Sequence, residues 1–182
     1  MAMAIMVPHY TVEDLENFPN DGNRYELLDG VLLVTPGPAL WHQVVASRLQ
    51  GPLIATLQST GHAFVVGPGA VVRLPNTRLE PDILVFPSRF SPDTDWPKIT
   101  EHWLAVEIIS RSSRVYDGEF KRDAYFALGV QQVWLVDRRD KSVDVWRERG
   151  KHVVKRDVIQ WNVPTMDLRV SIDLEETFAG LP

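Results

Sequence analysis

Two carboxylates stand at positions that are costly for a charged group. Asp82 opens the run "PDILVF", and Glu107 lies late in "WLAVEIIS". Trp103, Ala105 and Ile109 share the parity of Glu107 along a strand, while Leu104, Val106 and Ile108 take the other. A strand apolar on both parities belongs in a sheet covered on both faces, where an ionised group needs a compensating partner. If the two runs are neighbouring strands, about 4.8 Å apart, their carboxylates can share one hard cation. Mg²⁺ suits such a site: it takes oxygen ligands at about 2.0–2.1 Å, uses one or two carboxylates and keeps several waters. The main-chain carbonyl of Ile108 offers a third ligand. Without the cation the two acids repel, and at least one is expected to titrate high.

The next polar residues fall in "YDGEFKRDAYFALG", where Asp117, Lys121 and Tyr125 are spaced by four and share one helix face. If that helix packs beside Glu107, Lys121 can position a water and stabilise charge developing on a phosphate. Asp117 would orient Lys121, and Tyr125 would donate a hydrogen bond or pack. Glu26 in "RYELLDG" is either an exposed strand residue or a third acid reaching the site. Each residue also has a plainer reading. Asp82 after a proline suits a turn, Glu107 suits an ion pair with an arginine, and Lys121 suits a solvated pair with Asp117. His42 reads as a helix-surface or packing residue rather than a ligand. The conjunction of these residues, in this order, favours chemistry.

The elements that must position them are legible from pattern. "TVEDLENFP" predicts a short helix with Thr11 as cap and Asp14 three residues on. "RYELLDGVLLVTP" predicts a hairpin about Asp29-Gly30. Apolar residues from Trp41 to Leu57 recur at helical spacing, with Gly51-Pro52 as a point of kinking or division. "HAFVV", "AVVRL", "PDILVF" and "WLAVEIIS" read as strands, with a proline-bearing loop from Pro87 to about Thr100. In the following helix Phe120, Ala124, Ala127 and Leu128 form an apolar face and Gly129 a C-terminal stop. "QVWLVD" and "SVDVWRE" pair across "RRDK", and "HVVKRD" adds a further strand; the tail carries no clear pattern. The expected fold is α/β or α+β, a central mixed sheet flanked by helices with an N-terminal hairpin, as one domain over residues 1–182.

The composition is that of an ordinary globular chain: 182 residues, 45% hydrophobic and 24% charged. With no cysteine, disulfides, thiolate metal sites and cysteine catalysis are excluded. No apolar run is long enough for a bilayer, and a secretory leader is not evident, so a cytoplasmic location and no membrane partner are expected. The net charge of −5 argues against non-specific coating of nucleic acid, though not against a local basic groove. The one glycine cluster, "GPG", lacks the nucleotide-binding patterns.

Asp82 in "PD", Glu107 on a later strand and a nearby lysine resemble the PD-(D/E)xK nuclease superfamily. "YELLDG", "PDILVFP", "VEIIS", the "D…K…Y…G" spacing and "VWLVD" together resemble, more closely, the bacterial Uma-two family of restriction-endonuclease-like proteins, from about Arg24 to Trp146. The resemblance implies a mixed sheet flanked by helices and Mg²⁺-dependent (or Mn²⁺-dependent) hydrolysis of a phosphodiester, with Asp82 and Glu107 binding the metal. The superfamily's usual lysine position, two after the glutamate, holds Ile109 here. The resemblance implies that the lysine sits instead on the following helix, at Lys121, and that Glu26 is the acid of the N-terminal hairpin. Arg111 departs from the proline that often follows the "S" in this family. The expected function is a metal-dependent endonuclease on DNA, as a homodimer able to cut both strands, with Arg111, Arg114 and Arg122 as candidate phosphate contacts. RNA, or damaged or branched DNA, is the other substrate class. The alternative is a nucleic-acid-binding or protein-interaction module that keeps the fold without activity.

Overall fold

The computed structural model describes residues 8–109 and 120–181. The hairpin forms as expected: β1 (Asn23–Leu28) pairs antiparallel with β2 (Val31–Pro36). Asp29 and Gly30 both have positive φ, 49° and 82°, as a two-residue type I′ turn requires. Ahead of it Glu13–Asn17 is a single 3-10 turn, and Asp14 accepts hydrogen bonds from both the N–H and the hydroxyl of Thr11 at 2.7 and 2.9 Å.

Helix α1 (Leu40–Leu53) runs through Pro52 and passes directly into a π turn at Ile54–Gln58, so the Gly51-Pro52 pair does not divide it, and the helical geometry changes just after the proline. β3 (Ala63–Val66) and β4 (Val71–Arg73) flank the "GPG" turn but belong to different sheets. β5 (Thr77–Leu79), not anticipated from the sequence, joins β4 to the hairpin in a four-stranded sheet ordered β2-β1-β5-β4.

The central sheet has six strands. β7 (Leu104–Ile108) and β8 (Val133–Asp137) lie at its middle, with β6 (Ile83–Pro87) beside β7, and β9 (Ser142–Glu148) and β10 (Lys151–Lys155) beyond β8, in the order β10-β9-β8-β7-β6-β3. Among the described strand pairs only β7 and β8 are parallel, and a parallel step needs a crossover. That crossover carries α2 (Arg122–Ala127), capped by Leu128 and followed by Gly129 with φ 85°. The tail, illegible beforehand, is a hairpin of β11 (Val158–Asn162) and β12 (Arg169–Asp173) followed by α3 (Leu174–Phe178).

Two hydrophobic layers sandwich the central sheet. One joins Leu104, Val106 and Ile108 to the α1 residues Val45, Leu49 and Leu53 and to Trp161, Ile172 and Phe178 of the tail. The other joins Leu84 and Ala105 to Val71 and Leu79 of the small sheet and to Ala124 and Tyr125 of α2. Glu107, on the parity of Ala105, therefore faces the second layer, between the small sheet and α2. The α2 face is a correction: the residues it buries are Lys121, Ala124 and Tyr125, while Phe120 is 57% exposed. Polar partners under the helix, rather than apolar periodicity, set its rotation. Among the described residues no helix is long and apolar enough to cross a membrane.

Candidate active site

β6 and β7 are antiparallel neighbours with Ile83 opposite Val106, and one further step of that register sets Asp82 opposite Glu107. Both carboxylates are buried. Asp82 Oδ2 accepts the Ile108 N–H at 2.8 Å, which ties the end of β6 to the residue after Glu107. The same oxygen lies 3.0 Å from His42 Nε2, and Oδ1 accepts from Arg24 Nη1 at 3.1 Å. Arg24 also donates to the Glu80 carbonyl at 3.1 Å.

Glu107 is held from the α2 side. Its Oε1 accepts the Tyr125 hydroxyl at 2.5 Å and lies 3.6 Å from Lys121 Nζ. Lys121 Nζ is 2.6 Å from Glu26 Oε2, and Glu26 Oε1 in turn accepts the Glu80 N–H at 2.7 Å. Lys121 and Tyr125 thus converge on one carboxylate, as their spacing of four predicts. Glu26, of which nothing is exposed, is the third acid of the cluster rather than a surface residue.

These contacts set the charge states. Burial alone would raise the Asp82 carboxyl, but the His42 hydrogen bond and charge, the Arg24 guanidinium and the Ile108 N–H outweigh it and hold Asp82 below the usual carboxylate range. The repulsion expected to push one of the pair up therefore does not do so at Asp82. Burial also works against the Arg24 charge, yet Asp82 and Glu107 more than compensate and raise its pKa. Burial, reinforced by Glu107, pushes the Tyr125 phenol well above its ordinary range, so it remains a proton donor.

Of the residues singled out in the sequence, Glu26, Asp82, Glu107, Lys121 and Tyr125 come together, with the Ile108 main chain beside them. Asp117, Arg111 and Arg114 lie outside the described residues. Arg122 stacks its guanidinium on the Trp146 ring, 4.1 Å from the centroid, and its Nε is 2.8 Å from Asp123 Oδ1, so it belongs to the packing of α2 on β9. Two site residues were missed. Arg24 shares the strand parity of Glu26, so it faces the same way. His42 shares the helical stripe of Val45, Ala46 and Leu49, and a histidine on a buried stripe is itself a signal. Its Nε2 contact with Asp82 corrects its reading as a surface or packing residue.

Hard oxygen donors on Asp82 and Glu107 match the chemistry of Mg²⁺, which needs only one or two carboxylates. Among the described residues no group of three or more His, Asp and Glu side chains is arranged to hold a metal ion. Both oxygens of Asp82 are engaged by protein donors, so a cation there would compete with Arg24 and His42.

The family model described as "Putative restriction endonuclease", Uma2, matches residues 12–180. No curated protein matches the chain. A crystal structure of a putative nuclease belonging to DUF820, from Anabaena variabilis, superposes with a TM-score of 0.74 at 18% identity, covering 93% of this chain and 97% of that one. At that identity the likeness speaks to the fold.

Proposed function

We propose, from the premise that this chain belongs to the Uma2 family, that it is a Mg²⁺-dependent endonuclease hydrolysing phosphodiester bonds of DNA. The observation that carries the reading is the convergence of Glu26, Asp82, Glu107 and Lys121, from separate elements, into one buried polar cluster. Asp82, Glu107 and the Ile108 carbonyl would hold the cation, with Mn²⁺ as a substitute. When bound, it supplies charge stabilisation of the attacked phosphate and the leaving oxygen.

The remaining work falls to the chain. Lys121, gripped by Glu26 and Glu107, keeps its ammonium in place to position the attacking water and to bind a phosphate oxygen. Tyr125 keeps its proton and fixes one oxygen of Glu107. Arg24, on the exposed side of Asp82, is available to the phosphate once a cation takes its place. A homodimer acting in the cytoplasm would present two such centres to the two strands of a duplex.

The test is cleavage of duplex DNA by wild type, Asp82→Asn, Glu107→Gln and Lys121→Met, each checked for folding by circular dichroism. Mg²⁺-stimulated cleavage lost in all three variants is the expected result, and cleavage retained in Asp82→Asn would overturn the reading. One observation favours a second reading, a nucleic-acid-binding or interaction module without activity: the protein's own donors already satisfy Asp82. That reading expects binding without cleavage, insensitive to both acid substitutions.

A further inference from the structure

A cleft of about 560 Å³ opens between the 3-10 turn Glu13–Asn17 and β1, and it shares Arg24 and Glu80 with the candidate site. Its volume is that of a small-molecule pocket, far too small for a duplex. Phe18 and Tyr25 line it, half-buried, with ring centroids 5.1 Å apart at an interplanar angle of 38°. Both rings are braced. Tyr10 packs edge-on against Phe18 at 5.4 Å, and the Tyr25 hydroxyl donates to Asp21 at 2.8 Å.

The charges of the lining select which part of a nucleotide enters. Its two cations are already paired, Arg24 with Asp82 at 3.1 Å and Arg78 with Glu80 at 2.8 Å. Glu13 and Glu16 add exposed carboxylates. A phosphate is therefore repelled from the cleft, whereas a neutral base is not. An aromatic pair offers a base its stacking surface, and carboxylates accept from exocyclic amino groups.

We propose that this cleft takes the base of one unpaired nucleotide beside the phosphate under attack, against Phe18 and Tyr25, with Arg24 at the boundary between base and phosphate. The inference rests on the nuclease reading for the identity of the strand, and it names the preferred substrate: DNA with a single-stranded or extruded nucleotide, ahead of a perfect duplex. Glu13 and Glu16 can only accept, so bases with an exocyclic amino group, which offers two donor hydrogens, are favoured over thymine, which offers only its N3–H.

The experiment is a fluorescence titration of the full chain, in chelator, with short DNA duplexes carrying 2-aminopurine either unpaired in a bulge or fully paired. The expected result is quenching and tighter binding of the unpaired probe. Phe18→Leu keeps apolar bulk under Tyr10 but removes the stacking face, and should bind the bulged probe about ten-fold or more weakly with paired-duplex affinity unchanged. Phe18→Tyr should restore it. Equal affinity for the two probes, or wild-type binding by Phe18→Leu, overturns the inference. Cleavage of a perfect duplex in Mg²⁺ with no preference for the bulge also overturns it while leaving the nuclease intact. Quenching at the bulge by a protein that cleaves nothing supports the cleft and removes the nuclease.

Discussion

Replacing Lys121 by methionine isolates the electrostatics of the buried cluster. The ammonium lies 2.6 Å from Glu26 and 3.6 Å from Glu107. Glu26 is 0% exposed, and Glu107 and Lys121 are each 3% exposed. Methionine preserves the stem but leaves two buried carboxylates without the cation between them, and breaking a buried pair in this way costs about 3–5 kcal/mol. Glu107→Gln is a milder change. Lys121 still faces Glu26, and the new carbonyl still accepts from Tyr125. What is lost is the difference between a charge-assisted bond of about 1.5–3 kcal/mol and a neutral one near about 1 kcal/mol, together with the longer Lys121 contact. Urea denaturation in chelator at neutral pH should therefore rank Lys121→Met well below Glu107→Gln, by about 2 kcal/mol. The double variant Glu26→Gln/Lys121→Met should recover part of the loss, with a coupling of about 1 kcal/mol or more. A Lys121→Met protein within about 0.5 kcal/mol of wild type, the range of ordinary surface changes, would refute the reasoning and return Lys121 to a solvated side chain. A Glu107→Gln protein more stable than wild type would show instead that repulsion among the three acids dominates.

Three further outcomes follow from other parts of the molecule. His102 is buried with both ring nitrogens unpartnered, and burial, partly offset by Glu101, pushes its imidazole down to about 4. The unfolded chain takes that proton near pH 6.5, so stability is full above this pH, falls as pH drops towards 4 and is flat below. The loss totals about 3 kcal/mol, and His102→Leu should abolish it in denaturation curves taken across that window; an unchanged slope would refute the assignment. Gly30→Ala places a side chain at φ 82° with its Cβ 2.7 Å from His9 Nδ1, and should cost more than about 1 kcal/mol in thermal melts, whereas an unchanged melting temperature would exclude the type I′ turn. Arg24→Leu removes the cation that competes for Asp82, so calorimetric Mg²⁺ affinity should rise about ten-fold, roughly 1.4 kcal/mol; weaker binding would mean that Arg24 builds the site rather than guards it.

The acids and the lysine were legible because burial can be read from an apolar run and helix faces from spacing. Glu107 has both strand parities around it, and Lys121 and Tyr125 are one turn apart. The Asp29-Gly30 turn was legible because few dipeptides accept two positive φ values in succession. Arg24 was not read and His42 was read as a surface or packing residue, since their partner Asp82 lies far along the chain and only the tertiary fold brings it near. The rotation of α2 was misread for a related reason. Counting apolar residues favours Phe120, but the acids beneath the helix capture Lys121 and Tyr125 and turn Phe120 outward. The tail hairpin did carry a signal. Ile159, Trp161 and Val163 are buried while Gln160 and Asn162 are exposed, a period of two that the scattered acids obscured.

A glutamate inside an apolar strand is tolerated here by partners from other elements. Among the described residues three acids, Glu26, Asp82 and Glu107, face two permanent cations, Arg24 and Lys121, a balance of one negative charge before any contribution from His42. A balance of that sign favours a cation over an anion at the acids. On the proposed function, a divalent ion would change the balance from one negative to one positive charge. The monoanionic phosphodiester then restores neutrality. Ion and substrate would each be held more tightly in the presence of the other, as linkage requires. The buried lysine that makes Glu107 affordable without metal is thus the same group that leaves the loaded site with the charge a phosphate needs.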